Sequence, residues 1–144
     1  MSLLKQTQIL VTLLLIVTLL IVLRINFNTA REFTANESYL NTKNYANMLA
    51  LTLNTRPMDE DFMRTSINAM FDGGYFESIT LIRQDGTLVY EKREKLTIHG
   101  VPSFFINYVD LVIPEVEANV MAGWSVFGTL KIKGHPGTSY QKLW

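Results

Sequence analysis

Side chains able to do chemistry are few and scattered in this 144-residue sequence. It has no cysteine, so disulfides, thiolate metal sites and a cysteine nucleophile are excluded. Its two histidines, His99 and His135, are far apart in sequence, and neither has a ligand pattern beside it. Three acids stand together at Asp59, Glu60 and Asp61. They precede an apolar-periodic run, so their expected role is to cap a helix and meet the positive end of its dipole, not to hold a metal. Asp72 and Asp85 each precede glycine and read as turn residues. Gly73-Gly74 is too short for a phosphate loop, and G-x-S-x-G and H-E-x-x-H are both missing. Neither an enzyme nor a bound cofactor is expected.

What remains is a residue type suited to binding. "VMAGWSV", Val120 to Val126, lies between two alternating segments and puts Trp124 beside Gly123. On one side "PEVEANV" sets Val116, Ala118 and Val120 against Glu115, Glu117 and Asn119. On the other, "VFGTLKIK" sets Val126, Gly128, Leu130 and Ile132 against Phe127, Thr129, Lys131 and Lys133. Period-two alternation marks half-buried strands, and facing residues of a hairpin share a sheet face. Pairing Val120 with Val126 and Ala118 with Gly128 requires an odd loop centred on Gly123. That loop is either Ala122–Trp124 or Met121–Ser125, and both keep Trp124 out of the core.

The elements that carry this hairpin can be read from breakers and periodicity. No glycine or proline occurs before Pro57, so residues 5–54 are expected to form one long helix. Its first part, Ile9–Leu23, has only Thr12 and Thr18 as polar interruptions and approaches the ~17–25 residues of a membrane span. The rival reading is a cleaved signal peptide, for which Asn28-Thr29-Ala30 is a poor cleavage site, so an uncleaved anchor is expected. Residues up to Arg24 carry Lys5 and Arg24 and no acid, whereas eleven basic and thirteen acidic residues follow. No basic face stands out, so nucleic acid is not an expected partner. Phe27, Phe33, Leu40, Met48, Leu49 and Leu53 form a broken apolar stripe expected to pack on the domain or on a second helix.

A second helix begins at Asp59, turns Phe62, Ile67, Met70 and Phe71 to the core, and stops at Gly73-Gly74 through a left-handed glycine. "YFESITLIRQDGTLVYEKRE" is a hairpin turning at Asp85-Gly86. "SFFINYVD" after Pro102 is a short helix that packs its aromatics. Gly134 to Gly137 ends the last strand, and "TSYQKLW" follows with the aromatic and lysine content of a membrane interface.

"FDGGYFESI", "VPSFFINYVDL", "VMAGW", His135-Pro136 and "KLW" occur in an order that resembles the N-terminal periplasmic region of LapD-type receptors, the LapD/MoxY N-terminal domain. The start "MSLLKQ" is similar too. The resemblance implies an α+β fold: a transmembrane helix continuing into a long helix, packed on a PAS-like antiparallel sheet, in a domain-swapped dimer. It divides the chain into a cytoplasmic lead and membrane helix (1–24), a periplasmic output domain (25–134) and a lead-in to a second membrane helix (135–144). It implies a bacterial inner-membrane location. It also implies a partner, a LapG-like periplasmic cysteine protease, held so that it spares a surface adhesin and the biofilm persists. The matching anchor here is Trp124, with Gly123, Ala122, Ser125 and Met121 around it. Cyclic di-GMP would act only through cytoplasmic HAMP, GGDEF and EAL regions that this sequence does not contain, so a fragment of a longer receptor or a truncated gene product is expected. The alternative from the residues is a small-ligand sensor with a pocket lined by Phe104, Phe105 and Tyr108. A third reading is a small membrane protein that pairs with full receptors.

Overall fold

The structure, a computed structural model, describes residues 2–74, 76–95 and 97–144; Tyr75, where the first strand was expected to begin, lies outside them. Helix α1 runs Leu3–Leu53 as 51 uninterrupted residues. The chain divides into two compact units, one ending at Phe33 and the other running from Thr34 to Trp144.

In the first unit the helix is long and apolar enough to cross a membrane. Its threonines do not interrupt that character. Thr12 and Thr18 donate their hydroxyls to the carbonyls of Gln8 and Leu14, each at 2.8 Å, so the polar hydrogens are satisfied within the helix.

The second unit is an antiparallel sheet with helices packed on it. The strands are β1 (Phe76–Arg83), β2 (Leu88–Arg93), β3 (Val116–Ala122) and β4 (Ser125–Gly134), in the order β2-β1-β4-β3. Two hairpins thus meet through β1 and β4. One sheet face presents Ile79, Leu81, Val116, Val120, Leu130 and Ile132 to the core. The opposite face is polar: Lys131 pairs with Glu117 across the β3–β4 ladder at 3.6 Å, and Lys133 with Glu77 at 3.4 Å. An antiparallel sheet with one wet face has this alternation.

The outer part of α1 buries Thr42, Ala46, Leu49, Ala50 and Leu53 against this unit. Leu49 and Leu53 fill the core together with the sheet residues, and Thr42 lies against the end of β4. A Cβ on Gly134 would lie 2.6 Å from Thr42 Oγ1. This corrects the expected stripe. Leu49 and Leu53 are core, but Phe33, Leu40 and Met48 are exposed at 69%, 48% and 51%.

Helix α2 (Glu60–Gly73) begins at Asp59, whose side chain accepts the Phe62 amide at 3.0 Å. It buries Met63, Ile67 and Phe71, with Met70 packed at the edge of the core. Its end is not left-handed as expected. Gly74 is extended at φ −132°, and glycine is required there for space: a Cβ would sit 2.2 Å from the buried Phe76 ring.

Helix α3 (Ser103–Val109) buries only Val109; Phe104 and Tyr108 are 67% and 71% exposed, against the expectation of packed aromatics. Helix α4 (Gly137–Leu143) docks through Tyr140, whose hydroxyl accepts the Leu111 amide at 2.7 Å. Ser139 and Ser38 share a 2.6 Å hydrogen bond, and Lys142 reaches Glu37 at 3.1 Å.

Glycines test this packing. A Cβ on Gly128 would meet the Ile82 carbonyl oxygen at 2.3 Å, and a backbone atom cannot step aside. Gly73 has nothing within 4 Å of that position. Gly128→Ala should therefore lower unfolding stability by about 1–3 kcal/mol in a urea titration. Gly73→Ala should be neutral or slightly stabilising. Equal stabilities of the two variants would contradict the β1–β4 approach described here.

Candidate partner-binding site

The β3–β4 hairpin ends in a two-residue turn, Gly123-Trp124, closed by the pair Ala122–Ser125. Gly123 has φ +65°, while Trp124 is not among the residues of positive φ. Glycine first and an ordinary residue second is the type II′ pattern, whose twist matches that of paired strands. A Cβ on Gly123 would meet nothing within 4 Å, so glycine is required for its φ alone. Ser125 Oγ adds a 3.1 Å bond to the Ala122 carbonyl.

The register corrects the expected loop. Met121 pairs with Val126, but Val120 pairs with Gly128, Ala118 with Leu130 and Val116 with Ile132. The odd residue needed for face alternation is Phe127, accommodated as a bulge in β4 and not in the loop. A tight type II′ turn plus a bulge satisfies the same parity as a longer loop and pairs two more residues. Met121, Ala122 and Ser125 are therefore strand residues.

Trp124 is fully exposed, at 103% of its reference surface. It does not fold back over Phe127, which is half-buried under the Arg83 guanidinium at 5.5 Å. A second link fixes the hairpin from below. Asn54, one residue past α1, accepts the Met121 amide on Oδ1 at 2.7 Å. β3 is an edge strand, and the helix end supplies the acceptor for that amide. Sequence reasoning missed Asn54, since nothing local connects it to a residue 67 positions away.

The β1–β2 turn lines the same groove as Ala122 and Ser125. Its Asp85 carboxyl is held below the ordinary 3.8 by hydrogen bonds from the Thr87 side chain and then its amide. Arg83, at the end of β1, pairs with Glu60 at 2.9 Å.

Elsewhere, His99 and His135 line one cleft of about 290 Å³, which their separation in sequence did not suggest. His135 Nδ1 accepts the Gly137 amide at 2.9 Å. Among the described residues no group of three or more His, Cys, Asp or Glu could hold a metal ion. The expected aromatic pocket is not enclosed. Phe104 and Phe105 meet Trp144 edge-on, with centroids 5.9 and 5.1 Å away, and Phe104 and Tyr108 face outward.

The sequence pattern of the LapD/MoxY periplasmic domain matches residues 23–144. The chain belongs to this family. A solved structure of the LapD periplasmic domain from Pseudomonas fluorescence is similar, with a TM-score of 0.50 and 23% identity, over 83% of this chain and 95% of that one. No curated protein matches the chain. Membership in the LapD/MoxY family makes this a regulatory receptor domain of periplasmic type, and the solved LapD domain agrees in fold.

If Asn54 holds the hairpin, Asn54→Ala should leave the Met121 amide unsatisfied and destabilise by about 1–3 kcal/mol. Amide hydrogen exchange should show Met121 losing protection while Leu130 in the sheet centre keeps more of its own. Unchanged exchange at Met121 would remove Asn54 from the site.

Proposed function

We propose that this chain is the periplasmic output domain of an inner-membrane, inside-out cyclic di-GMP receptor. It binds and sequesters a LapG-like periplasmic cysteine protease, and so protects a surface adhesin and sustains biofilm. Helix α1 anchors it in the membrane through the segment before Phe33, and Trp124 is the anchor on the protease. Gly123, Ala122, Ser125 and Met121 shape the turn around that anchor.

One observation carries the reading: a fully exposed tryptophan on a tight, hydrogen-bonded turn. A soluble domain loses by leaving so large an apolar surface in water, and tryptophan is the residue type most enriched at binding hot spots. The turn is held by the ladder and by Asn54, so little conformational freedom is lost on binding. Family membership supports the partner class.

We read the domain also as PAS-like and as a homodimer, exchanged between copies as in LapD-type receptors. The strand order β2-β1-β4-β3, joining two hairpins through first and last strands, supports the first point. For the second, α1 carries an outward stripe opposite its buried one: Leu40, Met48 and Leu51 are 48%, 51% and 68% exposed. Asn44 lies between them at the 3–4 spacing of a helix–helix seam. A polar residue within such a seam fixes register between two copies.

Calorimetry against the host's LapG-type protease tests the anchor. Trp124→Glu should abolish detectable binding, a loss of at least ~2–4 kcal/mol, while circular dichroism stays unchanged. Equal binding by a folded Trp124→Glu variant would move the site elsewhere. Sedimentation equilibrium tests the seam. Leu51→Glu should raise the dimer dissociation constant about tenfold or more, since it buries a charge against its own copy. An unchanged constant would place the dimer contact off α1.

A further inference from the structure

A groove of about 600 Å³ opens beside the tryptophan hairpin. Ala122, Ser125 and Phe127 form one wall, Asp85 of the β1–β2 turn another, and Met58 and Glu60 the third, where α2 begins. Its place in the fold is specific. Ala122 and Ser125 are the pair that closes the Gly123-Trp124 turn. A protein that encloses Trp124 therefore lies beside this groove.

The lining also has a definite chemistry. Met58 is 79% exposed and, with Phe127, gives an apolar surface. Among the described lining residues the one cation, Arg83, is engaged: Glu60 holds it at 2.9 Å and the Phe127 ring faces it at 5.5 Å. Asp85 is different. It accepts the Thr87 amide at 2.9 Å and forms no ion pair among the described residues. Those Thr87 hydrogen bonds stabilise its anionic form, so the carboxylate is fully charged at neutral pH. Arg83 also acts on Asp85, but it is engaged by Glu60, so among the described lining residues two carboxylates face one cation beside an apolar wall.

We propose that this groove is a second contact for the partner that takes Trp124, and that it receives a lysine or arginine side chain of that partner. The cationic end faces Asp85, and the aliphatic stem lies over the apolar wall, as long basic side chains do at interfaces. The inference rests on Trp124 being the partner anchor. It adds the charge that orients the partner about that anchor, because a single exposed tryptophan fixes a position but leaves rotation free. Charges at such a rim act mainly on orientation and encounter rate, and salt screens them.

The test is calorimetry of the full chain in nanodiscs, with the host's LapG-type protease as the probe, at low and at physiological salt. Asp85→Asn keeps a side-chain oxygen for the Thr87 amide, so the turn is retained. It should weaken binding roughly three- to tenfold at low salt and flatten the salt dependence. Met58→Ser should weaken binding by a smaller factor and leave the salt dependence as in the wild type. If Trp124→Glu abolishes binding but Asp85→Asn matches the wild type at every salt concentration, the groove is not a contact and the anchor stands. If the wild type itself does not bind, even as a crosslinked dimer, the anchor reading is overturned and the groove with it.

Discussion

The packing of α1 on the core governs the rest of this domain: Ala46, Leu49, Ala50 and Leu53 are buried in one cluster with Ile79, Leu81, Leu130 and Ile132 of the sheet. Thr42, Ala46 and Ala50 put small side chains on the packing face, and Gly134 leaves no side chain where the helix crosses the end of β4. The same face carries Leu49 and Leu53 into the core cluster. With that face turned to the sheet, Leu40, Met48 and Leu51 are left on the opposite side. The same helix therefore has one face for its own core and one for another surface.

The same helix also meets the hairpin. α1 ends beside the bulge in β4, and Asn54 reaches the Met121 amide there. The chain of contacts from helix to tryptophan is short: helix end, one side-chain oxygen, one strand amide, then the turn. The sheet centre, where Ile79, Leu130 and Ile132 are fully buried, lies apart from this chain of contacts. Coupling between sites requires a physical element with two arrangements, and this hydrogen bond is a candidate for one.

Much of the fold was legible in the sequence. The absence of glycine and proline before Pro57 marked one long helix, Asp59 marked the start of α2, and Asp85-Gly86 marked the first hairpin. These are local signals, and local backbone preference decides them. Trp124 was also legible as a tip residue, because two alternating runs around Gly123 leave it no place in the ladder. The errors were of another kind. The loop length was misjudged because a bulge and a longer loop satisfy the same parity. The α1 stripe was half right: Leu49 and Leu53 are core, but Phe33, Leu40 and Met48 are exposed, because the face that turns to the sheet also carries Thr42, Ala46 and Ala50. The aromatics of α3 were assigned to the core by residue type, and their neighbours in space leave Phe104 and Tyr108 outside it.

The sequence by itself determined the membrane-length apolar helix, the two hairpins, the family and the tryptophan at a turn. Each depends on residues within a few positions of one another, or on their order along the chain. Only the tertiary structure decided that Asn54 holds Met121, that Asp85 shares a groove with Ala122 and Ser125, and that α1 turns its smallest residues inward. Those facts join segments tens of residues apart. Their cause is how closely backbones can approach, which depends on both partners of a contact at once and is not written in either segment alone.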